Sequence, residues 1–423
     1  MNQGLTGLVK AVSKKVIARQ GLVNAVGTTG NLGIRLRGNN VIKALLMQRL
    51  AACEKTLPAA SIEDIRQRTL GYVERMRIKN GRYGLYSYSA SSPRPTLYSS
   101  TYACLLRHLY RDLDGLSEKQ RREWVSYIEE HQADDGLFRD PFVSNRLADN
   151  ADWWGWRHLT LHVVMALTSL STVAPKRLRF LERFRDTDYA VKWLKTRDWG
   201  GNVANVSNEV QNYTALLQYA RDFQGEEWAD SACKKLLECL YAMQDSKTGL
   251  WGEGRVDSIG LLSNKVQAGY HIWLLYFYDK LPVAYPERVI DSCLDTQNIL
   301  GGFGPFLNSS ACEDIDSIDP LVRLHFVTSY RGEEVQTALR RAIVWILANM
   351  NTDGGFVFRR YEPLIYGHEN LFSGLNESAM FATWFRTLSM AYIGNVLRHS
   401  FVGEFDWQFV DSPGYQFQLS KGS

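Results

Sequence analysis

The main pattern along this chain is a helical spacing of apolar residues, interrupted at intervals by glycine-rich turns. In the stretches 159–170 and 338–347, apolar residues recur every three or four positions and so share one face of a helix. Strand-like alternation of apolar and polar residues is nearly absent. The pattern therefore predicts an all-α protein.

The interruptions are diverged copies of one motif, in which a short polar run precedes glycine and an aromatic residue. Six copies begin at Asn80, Gln132, Arg197, Gln244, Gln297 and Asn351. The spacing of 47 to 65 residues leaves room for two helices and their loops. Six consecutive helical hairpins can close into a ring, which removes the exposed ends of an open array. We therefore expect an (α/α)6 toroid at 56–400, with a basic N-terminal extension at 1–55 and a tail at 401–423.

The apolar spacing also places the helices of each hairpin. The predicted pairs are 60–78 with 98–112, 117–132 with 156–172, 184–196 with 206–222, 226–243 with 260–279, 286–298 with 313–329, and 333–349 with 376–397. The second helix of each pair is richer in small and uncharged residues, which predicts that these helices form the inner ring. Their N-termini, and the loops before them, then gather at one face of the toroid.

Composition is that of a globular chain, with 45% hydrophobic and 22% charged residues. No run of eighteen apolar residues occurs, and the N-terminus lacks the pattern of a secretory signal. These features predict a cytoplasmic protein. The six cysteines are scattered without CxxC spacing, so we expect reduced thiols rather than a zinc site or a disulfide framework.

The net charge of +4 is distributed unevenly along the chain, with the positive charge concentrated in the N-terminal extension. Residues 1–53 hold eight Lys or Arg and no acidic residue, and Leu8 and Ile17 can share a helix face opposite Lys10 and Lys14. Such a helix suits peripheral contact with an anionic membrane. The alternative is an extension whose charges are simply solvated. No basic and aromatic patch points to nucleic acid.

Polar and aromatic residues cluster where the predicted inner helices begin, so they are candidates for binding a substrate. These candidates are Tyr98, Trp153, Trp154, Trp156, Asn208, Tyr213, His368, Asn376 and Glu377. Aromatic faces stabilise a passing cation or stack on a sugar, and they also pack ordinary cores. Polar residues at helix starts commonly serve as N-caps.

The densest acidic segment, Cys312 to Pro320, holds four carboxylates directly after a Gly-Gly-Phe-Gly loop. Crowded carboxylates facing an apolar cavity would raise the pKa of at least one of them and so create a proton donor. We assign Asp316 as the candidate catalytic acid, with Asp314 as its neighbour. Mg²⁺ binding and helix capping are the alternatives.

The motif loops and the acidic segment together resemble a known family. The Asp/Asn-Gly-Gly-aromatic loops resemble degenerate QW motifs of the squalene-hopene and class II terpene cyclase superfamily, and Gly301 to Leu324 is similar to its DxDD segment. The resemblance implies an isoprenoid cyclase or isomerase in which Asp316 protonates the substrate. The chain departs from the family at Ser317, which replaces the last aspartate, and in having one predicted toroid where the family has two.

The residues leave three functions open. The cyclase interpretation requires no cofactor, with Mg²⁺ called for only by a diphosphate substrate, and its partners are a small isoprenoid and, through the arm, a membrane. The second interpretation is a carbohydrate-active toroid, a glycoside hydrolase or polysaccharide lyase, using separated carboxylates or a group such as Asn208, His158 and Tyr213. The third is a repeat scaffold that binds a partner in its concave face.

Overall fold

The structure, a computed structural model, describes residues 40–418. The predicted membrane-binding helix around Leu8 to Ile17 lies outside these residues. The larger of two compact units includes residues 49–418. Helix α1 spans Asn40–Thr56. No helix among the described residues is both long enough and apolar enough to span a bilayer.

The larger unit alternates outer and inner helices, as the apolar spacing predicted. In chain order its helices are α2 Ile62–Met76, α3 Leu97–Leu109, α4 Glu118–Glu129, α5 Arg146–Asn150, α6 Trp156–Ser169, α7 Thr187–Lys195, α8 Val203–Gln224, α9 Trp228–Met243, α10 Ile259–Tyr278, α11 Pro286–Leu294, α12 Ala311–His325, α13 Gly332–Ala348 and α14 Met380–Val396. Two small antiparallel sheets pair β1 Ser87–Ser89 with β2 Ser92–Pro95, and β3 Leu364–Ile365 with β4 Phe372–Ser373. The short α5 was not anticipated from the apolar spacing.

Six helices in the described part of the chain form the inner ring, namely α3, α6, α8, α10, α12 and α14. Each packs against the next, and α14 packs against α3, so the ring is closed. Nearly every residue of α12 and α14 is buried, whereas outer helices such as α4 bury a single face. The predicted (α/α)6 toroid is therefore confirmed.

The glycine motifs join one repeat to the next. The side-chain amide of Gln132 donates to the carbonyl of Gly136 in its own loop and to the carbonyl of Lys176 in the following repeat. Gln244 and Gln297 make the equivalent pairs of bonds in their repeats. Because these bonds satisfy buried backbone groups between repeats, the motif marks the fold rather than a catalytic group.

The ring closes in the outer layer through the sixth motif. Gly354 has φ +87°, and a Cβ there would overlap the carbonyl oxygen of Arg68 in α2. The hydroxyl of Thr69 donates to the Gly354 carbonyl over 3.2 Å. Only glycine combines this backbone conformation with so close an approach, so the first and last repeats meet through the same device that joins the others.

The segment 401–417 packs against the inner ring. Its Gln416 is fully buried, accepts a hydrogen bond from Trp384 Nε1 at 2.6 Å and donates to the carbonyl of Leu105 at 2.9 Å. Tyr415 contacts four inner helices. Its ring lies 5.0 Å from that of His162 in α6, 6.2 Å from that of Tyr270 in α10 and 5.9 Å from that of Phe385 in α14. Its hydroxyl is 3.3 Å from Oδ1 of Asn208 in α8. Contacts with four inner helices place Tyr415 inside the ring.

Candidate functional site

A chain of hydrogen bonds joins three tyrosines to a histidine where the inner helices begin. Tyr98, in the first turn of α3, lies with its hydroxyl 2.9 Å from Nδ1 of His158, in the first turn of α6. The hydroxyl of Tyr366, from the loop before α14, lies 3.4 Å from Nε2 of the same ring. Tyr102 Oη is 3.5 Å from Tyr366 Oη, which extends the chain.

The partners of Tyr98 fix the tautomer of His158. The Tyr98 hydroxyl donates to the carbonyl of Gly155 over 3.1 Å, so its oxygen accepts from His158 Nδ1–H. Nε2 then carries the lone pair and faces the hydroxyl of Tyr366. His158 is therefore oriented as a base toward Tyr366.

Burial keeps both partners neutral. The pKa of His158 is well below its usual 6.5, first because of burial and then because His162 and His271 lie nearby. Burial likewise raises the pKa of Tyr366 well above 10. A neutral imidazole can accept a proton and a neutral phenol can donate one. The pair therefore has both an acceptor and a donor of protons, which general acid–base chemistry requires.

The three candidate tryptophans have different positions. The Trp154 ring stacks on Tyr98 at 5.7 Å and meets Tyr366 edge-on at 6.3 Å, so it borders the His158 network. Trp153 is half-buried against the core, and Trp156 is buried with its Nε1 donating to Asp149 at 2.9 Å. Trp154 thus offers an aromatic ring to the network, while Trp156 fixes α5 to α6.

Tyr213 lies apart from His158. Its hydroxyl donates to Asp152 Oδ1 over 3.0 Å and accepts from Arg183 over 2.6 Å. Asp152 also shares a hydrogen bond with Glu209, whose pKa is raised first by burial and also by Asp152. Arg197 lies 2.6 Å from Glu209 and opposes that shift. Asn208 Oδ1 lies 3.3 Å from the hydroxyl of Tyr415, so Asn208, His158 and Tyr213 have different hydrogen-bond partners, and their joint action stays a prediction.

The candidates on the loop before α14 support that loop. The carboxylate of Glu377 accepts from the backbone N–H groups of Ser91 and Gly374. Asn376 Oδ1 accepts from Tyr361 N at 2.8 Å, and His368 Nδ1 accepts from Asn370 N at 3.0 Å. These contacts hold in place the loop that carries Tyr366.

Asp314 is fully hydrogen-bonded at a position shared by several repeats. Its Oδ1 accepts from Phe303 N at 2.9 Å, as Thr160 Oγ1 does from Phe138 N and Thr383 Oγ1 does from Phe356 N. Each bond ties a motif loop to the fourth residue or so of the following inner helix. Asp314 also accepts from Ser309, Trp345 and Arg386. Its contacts are those of a residue that positions loops.

Three of the four carboxylates in the acidic segment are paired with arginines: Glu313 with Arg359, Asp314 with Arg386 and Asp319 with Arg323. Glu313 also forms a capping box with Ser310 at the start of α12. For Glu313, this is the helix-capping role that the sequence left open. Asp316 is 3% exposed and has no hydrogen bond or ion pair within the described residues. Its pKa is raised well above 3.8, first by burial and then by the neighbouring carboxylates.

Metal-binding arrangements are limited in the part of the chain that the structure describes. No cluster of three or more His, Cys, Asp or Glu side chains suited to a metal ion occurs there. His158 and His162, four residues apart, stack with ring centroids 4.3 Å apart. All six cysteines lie among residues 40–418 and none is in a disulfide. That no cofactor is required, and that Mg²⁺ would accompany only a diphosphate substrate, stays a prediction.

Two residues at the centre of these networks were missed from the sequence. Tyr366 sits in a long loop between the sixth motif and α14, and Tyr415 sits in the segment predicted as a tail. Neither has a local pattern that marks it, because both reach the ring through contacts far along the chain. The aromatic richness of the segment 401–417 was the only available signal.

No protein-family model matches the chain, and no curated protein matches its sequence. Among solved structures, a polysaccharide lyase is similar with a TM-score of 0.43 and 11% identity, over 79% of this chain and 96% of that chain. A family 76 glycoside hydrolase from a bovine Bacteroides thetaiotaomicron strain is similar with a TM-score of 0.43 and 10% identity, over 81% of this chain and 78% of that chain.

These neighbours correct the family resemblance drawn from the sequence. They are carbohydrate enzymes by title and not terpene cyclases, so membership of the class II cyclase superfamily and the isoprenoid function drawn from it are wrong. The physical reason is visible in the motifs themselves. The Gly-aromatic loops bind repeat to repeat, and Asp314 of the DxDD-like segment is engaged in loop contacts, so both signals reported the toroid architecture.

Proposed function

We propose that this chain is a carbohydrate-active enzyme in which Tyr366 and His158 transfer protons at the end of the ring where the inner helices begin. The observation that carries the proposal is the His158 Nε2 lone pair directed at the hydroxyl of Tyr366. Tyr366 is partly exposed as a residue whereas His158 is buried, so we place the substrate on the Tyr366 side of the pair.

The surroundings suit a sugar. A pyranose presents apolar C–H faces and polar hydroxyl edges, so its site combines aromatic rings with a few placed hydrogen-bonding groups. Trp154 supplies a ring beside Tyr366, and the half-buried Asn208 supplies an amide on the inner ring. Tyr98, Tyr102 and His158 lie on inner helices, and Tyr366 lies on the loop before α14 that Glu377, Asn376 and His368 hold in place.

The phenol and imidazole pair favours elimination over hydrolysis by two carboxylates. Hydrolysis normally uses two carboxyl groups separated by about 5 to 9.5 Å across the scissile bond. The half-buried carboxyls Asp152 and Glu209 instead share a hydrogen bond and are held by Arg157 and Arg197. Tyr366 would take a carbon-bound proton of the sugar and pass its own phenolic proton to His158 Nε2. As the bond from the neighbouring carbon to the glycosidic oxygen breaks and a carbon–carbon double bond forms, Tyr366 would protonate the leaving oxygen and recover its proton from His158.

The test is turnover of a panel of acidic and neutral oligosaccharides, read by product mass. Hydrolysis adds one water across the products, whereas elimination leaves an unsaturated sugar that absorbs ultraviolet light. We expect elimination by the unaltered protein and a loss of about 100-fold or more in kcat for Tyr366→Phe. Tyr361→Phe, in the same loop, is the matched control and should retain full activity.

Two outcomes would contradict the proposal. If no oligosaccharide is turned over, the substrate class is wrong. If Tyr366→Phe retains activity while Glu209→Gln or Asp152→Asn abolishes it, the chemistry belongs to the carboxyl pair and the products should show hydrolysis. Thermal unfolding of each variant separates these effects from loss of fold.

A further inference from the structure

Several buried polar groups on the inner helices lack a hydrogen-bond partner within the described residues. Among them, His162 Nε2, Tyr270 Oη and Asp319 Oδ2 are buried and unpaired, and Asp316, 3% exposed, has no hydrogen bond in the described part of the chain. We call these four residues the axial cluster. Buried polar atoms in folded proteins are almost always hydrogen-bonded, so several unpaired atoms in one region need an explanation.

Repeat equivalence places two members of the axial cluster on the inner surface of the ring. Thr160, Asp314 and Thr383 make the same bond to a motif loop in their repeats. The residues two positions later are therefore equivalent, and they are His162, Asp316 and Phe385. The rings of His162 and Phe385 both contact Tyr415, and the charge of Asp316 raises the pKa of Tyr415.

The other two members adjoin the same tyrosine and carboxyl. Tyr270 lies 6.2 Å from Tyr415, ring to ring, and both Asp319 and Asp316 raise its pKa. Asp319 keeps Oδ2 unpaired although its Oδ1 accepts from Arg323 Nε at 2.5 Å. The four residues thus come from α6, α10 and α12. The rings of His162 and Tyr270 contact Tyr415, the charge of Asp316 acts on both tyrosines, and that of Asp319 acts on Tyr270.

Each unpaired atom can accept a hydrogen bond. His162 Nδ1 lies 2.8 Å from the carbonyl of His158 and must donate to it, so Nε2 carries the lone pair. Asp319 is an acceptor when ionised beside Arg323, and the Tyr270 oxygen and the Asp316 carboxyl accept as well. A protonated amino group offers donors and positive charge together, and aromatic rings such as Tyr415 and Tyr270 attract such a cation.

We propose that the axial cluster binds a protonated amino group of a ligand, with Asp316 as its counter-ion. Glu313, Asp314 and Asp319 each have an arginine, and the ligand's ammonium group would fill that role for Asp316. The site lies inside the ring and uses none of the groups assigned to proton transfer, so it does not depend on the proposed carbohydrate chemistry. A buried ammonium bound to a carboxylate and to further acceptors gains strong, charge-assisted hydrogen bonds.

The test compares amines with neutral molecules of the same size, binding to the whole purified chain. Methylammonium and ethylammonium are titrated against methanol and ethanol by calorimetry. We expect the amines to bind at least about tenfold more tightly than the alcohols. Asp316→Asn, nearly the same shape, should remove most of that preference, and Tyr270→Phe should reduce it severalfold while keeping the ring. Asp295→Asn, at an exposed site, is the matched control and should leave it unchanged.

The proposal is overturned if the unaltered protein does not distinguish amines from alcohols, including the case in which neither binds. It is equally overturned if Asp316→Asn binds the amines as tightly as the unaltered protein does. Should Asp316→Asn fail to fold, the result for Tyr270→Phe decides, because full retention of the preference in that variant contradicts the axial cluster as the binding site.

Discussion

The guanidinium of Arg386 in α14 lies 2.8 Å from Oδ2 of Asp314 in α12, and both side chains are buried. Arg386 also donates to the carbonyls of Val357 and Phe358, so one side chain ties two inner helices to the sixth motif loop. The pair sits where the fifth repeat meets the sixth, and its main consequence is for stability.

Arg386→Leu should lower the free energy of unfolding by about 3–5 kcal/mol, because it leaves the Asp314 carboxylate buried without a counter-ion. Arg122→Leu is the matched control, since Arg122 and its partner Glu118 are largely exposed and such pairs contribute about 1 kcal/mol or less. Denaturant unfolding measures both. Equal losses in the two variants would show that the buried pair is not specially important.

Gly354→Ala should destabilise the protein by at least about 2 kcal/mol, because it forces a side chain into a left-handed backbone conformation against the Arg68 carbonyl. Gly115→Ala is the control, since an added Cβ there meets no atom within 4 Å. Thermal unfolding compares the two. A Gly354→Ala protein as stable as the control would mean that the ring does not close through this contact.

Asp316 should make stability fall as the pH rises. Its pKa is raised in the folded protein, so the folded state holds the proton more tightly than the unfolded chain does. Unfolding free energy is therefore lost above the ordinary aspartate pKa, by at most about 1.4 kcal/mol per pH unit for one proton, until the raised pKa is passed. Asp316→Asn removes this loss, so the stability difference in favour of the variant should grow with pH. A difference independent of pH, measured by denaturant unfolding at several pH values, would contradict the raised pKa.

The pH profile of turnover should reflect the burial of His158. Its pKa is well below 6.5, so the imidazole stays a neutral base and kcat/KM should remain constant as the pH falls through 6.5, declining only at lower pH. The exposed His399 is the control, and His399→Gln should leave the profile unchanged. A decline centred on the ordinary histidine pKa would assign the titrating group to another residue.

The sequence determined the helices and their pairing into a ring. The apolar spacing placed α2 at 60–78 against the observed Ile62–Met76, and α10 at 260–279 against Ile259–Tyr278. Such agreement is expected because the spacing of apolar residues that buries one face of a helix is a local signal, visible within a few turns of the sequence. The glycine motifs also indicated the number of repeats, because each motif loop must contact the backbone of the next repeat.

Tertiary structure alone decided which polar residues meet. Tyr366 reaches His158 across 208 positions of the chain, and Asp314 is paired with an arginine 72 positions away while Asp316 has none. The sequence around Asp316 does not show that it lacks an arginine while Glu313 and Asp314 have one, because the arginines of those two residues lie 46 and 72 positions away. Helical periodicity fixes which face a residue occupies, but closure of the ring fixes what that face touches.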